Sequence, residues 1–266
     1  MHSKRLNPDL ITLVSDQSDI EYTQWVSQTL GARIYSESSG NQPKSKTPYL
    51  LRVSGNTIQL EFVRDKRKPF IPVIAPGFPA RGIDPLLRAI GVKQGAVIDM
   101  TAGWCADASR IASSGCSIVA FENNPLVYVL AQNAIEHCQN PLIRQHLDLR
   151  HADSIQTLQS ETTEADVIYL DPMFPLQKRD AASPKPITLL RELVNHSQGR
   201  YSFDRMLDVA MSSNARRIVV KRPHHLPATQ RGKVGEIKSK QIRYDIYYPG
   251  PNIESRFHPV LSQSNS

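Results

Sequence analysis

The stretch at residues 96–122, AVIDMTAGWCADASRIASSGCSIVAFE, decides the fold class. Its two apolar runs, AVIDM at 96–100 and SIVAFE at 117–122, have the length and composition of buried strands. The segment between them at 107–115, DASRIASSG, has the pattern of a short helix. A strand, a helix and a second strand in succession are typical of a βαβ unit, in which the two strands are parallel.

The alternation of strands and helices extends in both directions from this stretch. A short helix is predicted to end at Gly91, and a longer one is predicted at 125–138, with proline in its first turn. Three more strands are predicted, at 147–153, 166–171 and 216–223. A helical region at 186–213 separates the last two, and a late strand at 242–249 is predicted to be antiparallel at an edge. We therefore predict an α/β fold with a doubly wound, mostly parallel sheet.

The first 80 residues predict a small, separate α+β unit. Its predicted elements are a strand at 10–16, a helix at 19–33 that is closed by Gly31, and a hairpin that turns at 54–56. The proline-rich segment that follows, within 69–79, excludes a helix or a central strand and predicts a linker or an ordered loop. The predicted organisation is an N-terminal unit at 1–80, a main domain at 81–254 and a tail at 255–266.

The charge of the chain favours a polyanionic partner. Lys and Arg number 32 against 25 Asp and Glu, which gives a net charge of +7 and a pI near 9.4. A pI above 9 is typical of proteins that bind nucleic acid. The basic residues concentrate in two segments, 64–68 and 216–243. If both segments border one cleft, we expect them to contact phosphates, and the N-terminal unit becomes a candidate RNA-contacting unit.

Several classes of protein are disfavoured by composition. The longest apolar runs are shorter than the ~18 residues that a membrane span requires, and the N-terminal residues MHSKRLNPDL lack the apolar core of a signal peptide. The three cysteines are too few and too unevenly spaced for a disulfide framework or a zinc site. We therefore expect a cytoplasmic protein without a metal.

Acidic residues follow the predicted parallel strands at their carboxyl ends, where such sheets bind ligands. Glu122 follows the first turn at the distance typical of a carboxylate that holds a ribose diol. Asp153 and Ser154 are expected beside an adenine, and Gly103 allows a close backbone approach in the first turn. The turn contains neither Gly-x-Gly-x-x-Gly nor a Gly-Lys-Ser/Thr phosphate loop. These residues therefore predict a cofactor without phosphate, such as S-adenosylmethionine.

The segment YLDPMFP at 169–175 predicts the site of chemistry. Asp171 and the carbonyl groups of this turn can accept hydrogen bonds from an exocyclic amine, while Pro172 makes the turn rigid and donates no hydrogen bond. Phe174 can stack on a base, a contact worth roughly 1–3 kcal/mol. Because no cysteine occurs at 171–175, covalent attack on a pyrimidine carbon is disfavoured. The candidate catalytic residues are therefore Asp171, Pro172 and Phe174, and the predicted reaction is N-methylation.

Several motifs together resemble the RsmJ-type methyltransferases, which use S-adenosylmethionine to methylate the N2 amine of a guanosine in small-subunit (16S) ribosomal RNA. The motifs are residues 97–130, HADS at 151–154, VIYLDPMFP at 167–175, RRIVVKRP at 216–223 and RYDIY at 243–247. The resemblance implies a Rossmann-like methyltransferase sheet, S-adenosylmethionine as cofactor, and ribosomal RNA or the 30S subunit as partner. The cofactor-binding residues that it implies, together with those inferred above, are Gly103, Ala106, Asp107, Glu122, Asn123, Asp153, Ser154 and Asp171.

Two further residues on the same rim are expected to contact RNA. Lys221 and Arg222 lie at the carboxyl end of the strand predicted at 216–223, so their cations are candidate phosphate contacts.

The chain also departs from the family pattern. Family members usually have Leu-Gly where this chain has Trp104-Cys105, and a left-handed backbone at Cys105 would cost on the order of 1–2 kcal/mol. The basic helix that usually follows the catalytic loop is predicted to be broken by Pro184 and Pro186. Two alternatives stay open: a catalytically weakened RNA-binding or assembly factor, and a methyltransferase for adenine N6 or a glutamine amide. Methyltransferases for adenine N6 or a glutamine amide commonly have a second proline where this chain has Met173, which counts against that alternative.

Overall fold

The computed structural model describes residues 7, 10–37, 47–74, 84–161, 164–174, 185–195, 202–227 and 232–249. Residues 75–79 of the predicted linker and the predicted tail at 255–266 lie outside the described residues. Over the described ranges, no helix combines the length and the apolar character that a membrane crossing requires.

The N-terminal part of the chain forms a four-stranded sheet with the order β2-β1-β3-β4. Its elements are β1 (Ile11–Ser15), α1 (Ile20–Leu30), β2 (Ile34–Ser36), β3 (Tyr49–Ser54) and β4 (Thr57–Phe62). The predicted strand, helix and hairpin are confirmed, whereas the short strand β2 was not predicted. Gly31 ends α1 in the left-handed conformation, with φ at 63°, as its position in the sequence indicated.

The main part of the chain forms a seven-stranded sheet with the order β10-β11-β9-β8-β5-β6-β7. Its elements are α2 (Pro85–Ile90), β5 (Ala96–Asp99), α3 (Ala106–Ser113), β6 (Ser117–Glu122), α4 (Pro125–Glu136), α5 (Pro141–His146), β7 (Leu147–His151), α6 (Ser154–Ser160), β8 (Val167–Leu170), α7 (Lys185–Asn195), α8 (Phe203–Met211), β9 (Arg217–Pro223), β10 (Lys233–Lys238) and β11 (Ile242–Tyr247). The strands β5 to β9 pair in parallel. The predicted doubly wound, mostly parallel sheet is confirmed.

The sequence predicted that the late antiparallel strand, β11, lies at an edge of the sheet, and this position is wrong. It lies between β9 and β10, and β10 forms the edge. The alternating exposure and the Lys and Glu side chains of β10 are typical of a protected edge strand. The same composition made this segment indistinguishable from a solvated run of charge, so the strand was not predicted.

The helix α7 also differs from the prediction. It runs without a break over Lys185–Asn195, with Pro186 in its first turn. A proline is tolerated there because the first N–H groups of a helix have no partner within the helix. Pro184 lies outside the described residues.

The N-terminal sheet shares a hydrophobic core with two helices of the main part. Leu51 and Leu60 of the sheet are fully buried in one cluster with Leu126 and Leu130 of α4 and with Leu193 of α7. The predicted division at residue 80 stays a proposal, but the N-terminal unit is packed against the main sheet's helices.

Replacing Leu60 with alanine is expected to lower the free energy of unfolding by about 2–5 kcal/mol, because its side chain is fully buried in this shared core. Denaturant titration followed by circular dichroism measures the change. Ile71→Ala is the matched control, since that side chain is 55% exposed, and we expect it to cost less than about 0.5 kcal/mol. A separate early transition confined to the N-terminal sheet would contradict the shared core.

Candidate active site

A cavity of about 690 Å³ opens at the carboxyl ends of the central parallel strands. All the site residues predicted from the sequence border it: Gly103, Ala106, Asp107, Glu122, Asn123, Asp153, Ser154, Asp171, Pro172, Phe174, Lys221 and Arg222. The parallel pairing brings them together, because it places the end of every such strand at one edge of the sheet. The roles assigned to these residues remain predictions.

The turn between β5 and α3 has a left-handed residue at Cys105, with φ at 58°. Cys105 therefore has the left-handed backbone considered in the sequence analysis. This conformation costs on the order of 1–2 kcal/mol for a residue with a Cβ atom. The thiol is fully buried, and burial raises its pKa. Cys105 is thus a packed, protonated thiol.

Gly103 is held in the same turn with φ at 52°. A Cβ atom built there would approach Cδ2 of Leu190 to 3.0 Å, so the missing side chain allows α7 to lie against the turn. The N–H of Gly103 donates to Oε2 of Glu122 at 3.0 Å. Trp104 also ties α7 to the turn, because its indole N–H donates to the carbonyl of Pro186 at 2.8 Å.

Glu122 links the first turn to the next one. Its Oε2 accepts from Gly103, and its Oε1 accepts from the N–H of Asn124 at 2.7 Å. Asn124 in turn caps α4 through Oδ1. Both oxygens of the carboxylate are therefore oriented by backbone N–H groups, which fixes the direction in which the carboxylate faces the cavity.

Asn123, Asp153 and Ser154 form the neighbouring wall. Asp153 caps α6 through Oδ1, and Nδ2 of Asn123 donates to its Oδ2 at 3.3 Å. The Ser154 hydroxyl donates to the carbonyl of Met100 at 2.9 Å. The buried Oδ1 of Asn123 has no hydrogen-bond donor within the described part of the chain.

This wall fits an adenosyl group. The Oδ1 atom of Asn123 can accept a hydrogen bond from a ligand N–H or O–H, and the carboxylate of Glu122 can accept from a ribose hydroxyl. No Gly-rich phosphate loop precedes α3. The donor and acceptor set therefore suits a nucleoside cofactor without a pyrophosphate.

A lysine connects the two sides of the cavity. Nζ of Lys221 donates to Oδ2 of Asp107 and to Oδ2 of Asp171, both at 2.7 Å. Asp107 also accepts from the Tyr169 hydroxyl at 2.6 Å and from Nη1 of Arg110 at 2.9 Å. Nothing in the pattern of the β8 strand distinguished Tyr169 from an ordinary core residue, and sequence analysis did not predict these contacts.

The pKa values of the two carboxylates that Lys221 contacts are shifted in opposite directions. Burial opposes the ionisation of both, but the ammonium group and the hydroxyl of Tyr169 outweigh it at Asp107 and lower its pKa. At Asp171, burial and the repulsion from Asp107 outweigh Lys221, so the pKa is raised. Burial lowers the pKa of Lys221, but its two carboxylate partners reverse the shift and raise it. The ammonium therefore stays protonated.

Asp99 lies at the end of β5 and is fully buried beneath this network. Burial is the main cause that raises its pKa to about 7, and the charges of Asp107 and Asp171 add to the shift. Hydrogen bonds from the backbone N–H and the hydroxyl of Thr101 partly offset it. Asp99 is the last residue of β5, and sequence analysis assigned it no role.

The loop after β8, at 171–174, is fixed from both ends. The N–H of Asp171 donates to Oγ1 of Thr101 at 2.7 Å, and the carbonyl of Phe174 accepts from Nη1 of Arg191 at 2.8 Å. Pro172 is buried between these anchors. The Phe174 carbonyl, which the sequence offered as an acceptor for an amine, is therefore already bonded to the protein.

The guanidinium group of Arg222 stacks on two aromatic rings. Its Cζ lies 4.9 Å from the ring centroid of Phe174 and 4.8 Å from that of Phe203, and the two rings are 5.5 Å apart. Nη2 donates to the carbonyl of Pro227 at 2.9 Å. Arg222 therefore supports the ring that the sequence assigned to base stacking. Lys221 and Arg222 both have partners inside the protein, and their role as RNA contacts is untested.

Several cations of the two basic segments are paired within the protein. Asp245 is fully buried and forms ion pairs with Lys233 at 2.9 Å, Arg243 at 2.9 Å and Arg222 at 3.8 Å. In the other segment, Arg67 pairs with Glu192 of α7 at 2.8 Å, which brings that segment next to the helix bordering the cavity. Asp245 follows the basic segment by two residues, so a count of charge that ended at residue 243 missed it.

No cluster of three or more His, Cys, Asp or Glu side chains suited to a metal ion occurs in the described ranges.

The chain is similar to known methyltransferases. Residues 78–249 match the family described as putative SAM-dependent methyltransferases. The ribosomal RNA small subunit methyltransferases J of Desulfotalea psychrophila and Aeromonas hydrophila are each 34% identical over 171 residues, which cover 61% of this chain and 64% and 68% of those proteins. The protein of that name from Magnetococcus marinus is 33% identical over 188 residues, 68% of this chain and 73% of that protein.

One solved structure resembles the whole fold. The crystal structure of the SAM-dependent methyltransferase NGO1261 from Neisseria gonorrhoeae matches with a TM-score of 0.67 at 19% identity, covering 92% of this chain and 99% of that one. At this identity the likeness concerns the fold, and its coverage includes the N-terminal sheet.

Replacing Glu122 with glutamine is expected to raise the dissociation constant of S-adenosylmethionine roughly 10–100-fold, because hydrogen bonds to a charged group contribute about 1.5–3 kcal/mol. The amide would also direct an N–H group at one of the two backbone donors that now orient the carboxylate. Titration calorimetry measures the affinity, with Glu136→Gln on the exposed face of α4 as the control. Unchanged affinity in a folded Glu122→Gln protein would remove Glu122 from the cofactor site.

Replacing Asp99 with asparagine is expected to stabilise the protein more at pH 8 than at pH 5. The folded pKa of about 7 exceeds the ordinary 3.8, so the folded state loses stability relative to the unfolded chain as pH rises between these values. Asparagine carries no charge, and the gap between variant and parent should grow by on the order of 2–3 kcal/mol between the two pH values. Denaturant titrations at both pH values measure it, with exposed Asp148→Asn as the control. An equal difference in unfolding free energy between variant and parent at both pH values would contradict the raised pKa of Asp99.

Proposed function

Since the chain belongs to the family of SAM-dependent methyltransferases and resembles the ribosomal RNA small subunit methyltransferases J, we propose that it methylates the N2 amine of a guanosine in small-subunit ribosomal RNA. The observation that carries the proposal is that Glu122 and Asp171 border one cavity. A cofactor held at the first and an amine held at the second would lie side by side, as a direct methyl transfer requires.

The cofactor side of the proposed site is the wall formed by β6, β7 and the first turn. Glu122 would hold the ribose, and Asn123, Asp153 and Ser154 would surround the adenine. Gly103, Ala106 and Asp107 at the start of α3 would border the remainder of the cofactor. When bound, S-adenosylmethionine supplies an electrophilic methyl group.

The acceptor side is the catalytic loop after β8. Asp171 would accept a hydrogen bond from the amine and stabilise the positive charge that develops on its nitrogen. Transfer forms a bond between this nitrogen and the methyl carbon, breaks the carbon–sulfur bond and releases one proton from the amine. Pro172 keeps the loop rigid, and Phe174 would stack on the base that carries the amine.

Ribosomal RNA is proposed as the partner because the curated relatives carry that substrate in their names and because the net charge is +7. The substrate is either the free RNA or the 30S subunit. We propose that the N-terminal unit at 1–80 contacts RNA, as its basic segment lies beside α7 at the cavity. The methyltransferase domain would span 81–254. A cytoplasmic location is consistent with three buried, free cysteines.

The proposal predicts the product of a direct assay. The purified protein, incubated with methyl-labelled S-adenosylmethionine and unmodified small-subunit RNA or 30S subunits, is expected to label N2 of one guanosine, which nuclease mapping and mass spectrometry locate. Asp171→Asn is expected to lower kcat roughly 100-fold, because the uncharged amide stabilises the developing charge less. Exposed Asp148→Asn is the control.

Each contrary outcome of this assay has a distinct meaning. Label in adenosine or in protein glutamine would replace the acceptor while keeping the enzyme class. Calorimetric binding of the cofactor with no label in guanosine would defeat the proposed substrate.

A further inference from the structure

We propose that Lys221 is a positioning residue for methyl transfer, which holds the carboxylate of Asp171 ionised and directed at the acceptor amine. The inference rests on the proposed function of Asp171 and assigns Lys221 a role other than the phosphate contact that its sequence position indicated.

The geometry of Lys221 is that of a clamp between two carboxylates. It projects from β9, which pairs with β8, and Asp171 directly follows β8. Its ammonium donates at 2.7 Å to Oδ2 of Asp107 and at 2.7 Å to Oδ2 of Asp171. Among the described residues, this is the one hydrogen bond that the Asp171 side chain receives. Within the described ranges its second oxygen accepts no hydrogen bond, and the residue borders the cavity.

Exposure differs between the three members of the clamp. The side chains of Asp107 and Lys221 are 10% and 22% exposed, while that of Asp171 is 38% exposed. The clamp is therefore anchored in the protein at Asp107 and open to the cavity at Asp171. Asp107 is itself fixed by Tyr169 and Arg110, so the clamp has a rigid base.

The ammonium of Lys221 favours the charged form of Asp171, against burial and the repulsion from Asp107, which raise its pKa. The groups that act on its charge are the carboxylates of Asp99 on β5 and Asp107 on α3, the phenol of Tyr169 on β8, the guanidinium group of Arg191 on α7, and Lys221 itself. Among them, Lys221 is the cation that touches the carboxylate. Without it, the repulsion from Asp107 and Asp99 would favour protonation, and a protonated Asp171 is a poor acceptor for an amine hydrogen.

A phosphate contact explains the same residue less well. Two carboxylates already bind the ammonium at short distance, and little of the side chain reaches solvent. A phosphate that recruited Lys221 would have to displace at least one carboxylate and leave it buried without its cation.

The test compares Lys221→Met with Lys221→Arg, using Lys93→Met as a matched control for the loss of one positive charge, because Lys93 is exposed and lies outside both basic segments and the cavity. The pH dependence of methyl transfer to small-subunit RNA is measured for each protein, together with the KM for RNA, its salt dependence and the melting temperature. Lys221→Met is expected to lower kcat roughly 100-fold at pH 7 and to shift the acidic limb of the profile upward by about one unit or more. Activity is then partly recovered as pH rises, because the higher pH ionises Asp171 again.

The remaining variants, the KM for RNA and its salt dependence distinguish a positioning role of Lys221 from a phosphate contact. Lys221→Arg is expected to retain activity within about tenfold and to keep the parent pH profile, because a guanidinium also carries the charge. Lys93→Met is expected to leave the profile unchanged. A raised KM for RNA with a weaker salt dependence and an unshifted profile for Lys221→Met would overturn the inference and identify a phosphate contact.

A second measurement does not depend on activity. In protein labelled with ¹³C at the aspartate carboxyls, the Asp171 signal is assigned by its loss in Asp171→Asn and titrated by NMR in the parent and in Lys221→Met. An upward shift of the Asp171 pKa in Lys221→Met supports the clamp, and an unchanged value overturns it, even if the Met variant is partly destabilised. An inactive parent with the expected titration would defeat the proposed function while sustaining the clamp.

Discussion

The site depends on the accumulation of carboxylates at one edge of a parallel sheet. Because β6, β5, β8 and β9 run in the same direction, Glu122, Asp99, Asp171 and Lys221 all reach the same rim. Negative charges brought together in a partly buried cavity repel one another, so each needs a compensating donor. The sheet supplies the position of these groups, and the donors determine their charge.

Two kinds of donor provide this compensation, backbone N–H groups and a lysine ammonium. Backbone N–H groups orient Glu122, the first turn of α6 holds Asp153, and the ammonium of Lys221 serves both Asp107 and Asp171. Asp99 receives only the hydrogen bonds of Thr101 among the described residues, and burial, which they offset only in part, raises its pKa to about 7. The distribution of donors thus distinguishes Glu122, Asp153 and Asp171, which accept from oriented donors of other elements or of a helix turn, from the buried Asp99.

The helix α7 connects the site to the N-terminal sheet. One face, with Leu190 and Arg191, borders the cavity, and Leu190 lies against Gly103. On α7, Leu193 joins the N-terminal core, while Glu192 pairs with Arg67 and accepts from the hydroxyl of Tyr49. The N-terminal sheet therefore supports, through α7, a wall of the cavity.

The sequence by itself determined the features that depend on local pattern. The unit from β5 to β6, the N-terminal hairpin and the acidic strand ends follow from apolar periodicity and from the rule that parallel sheets bind ligands at their carboxyl edge. The tertiary structure alone decided the place of β11 inside the sheet, the role of Asp245 as the partner of several basic side chains, and the pairing of Lys221 with two carboxylates. Strand order and charge pairing join residues that are distant in the chain, and their energies depend on burial and on separations of a few ångströms. A count of charges along the sequence contains neither quantity.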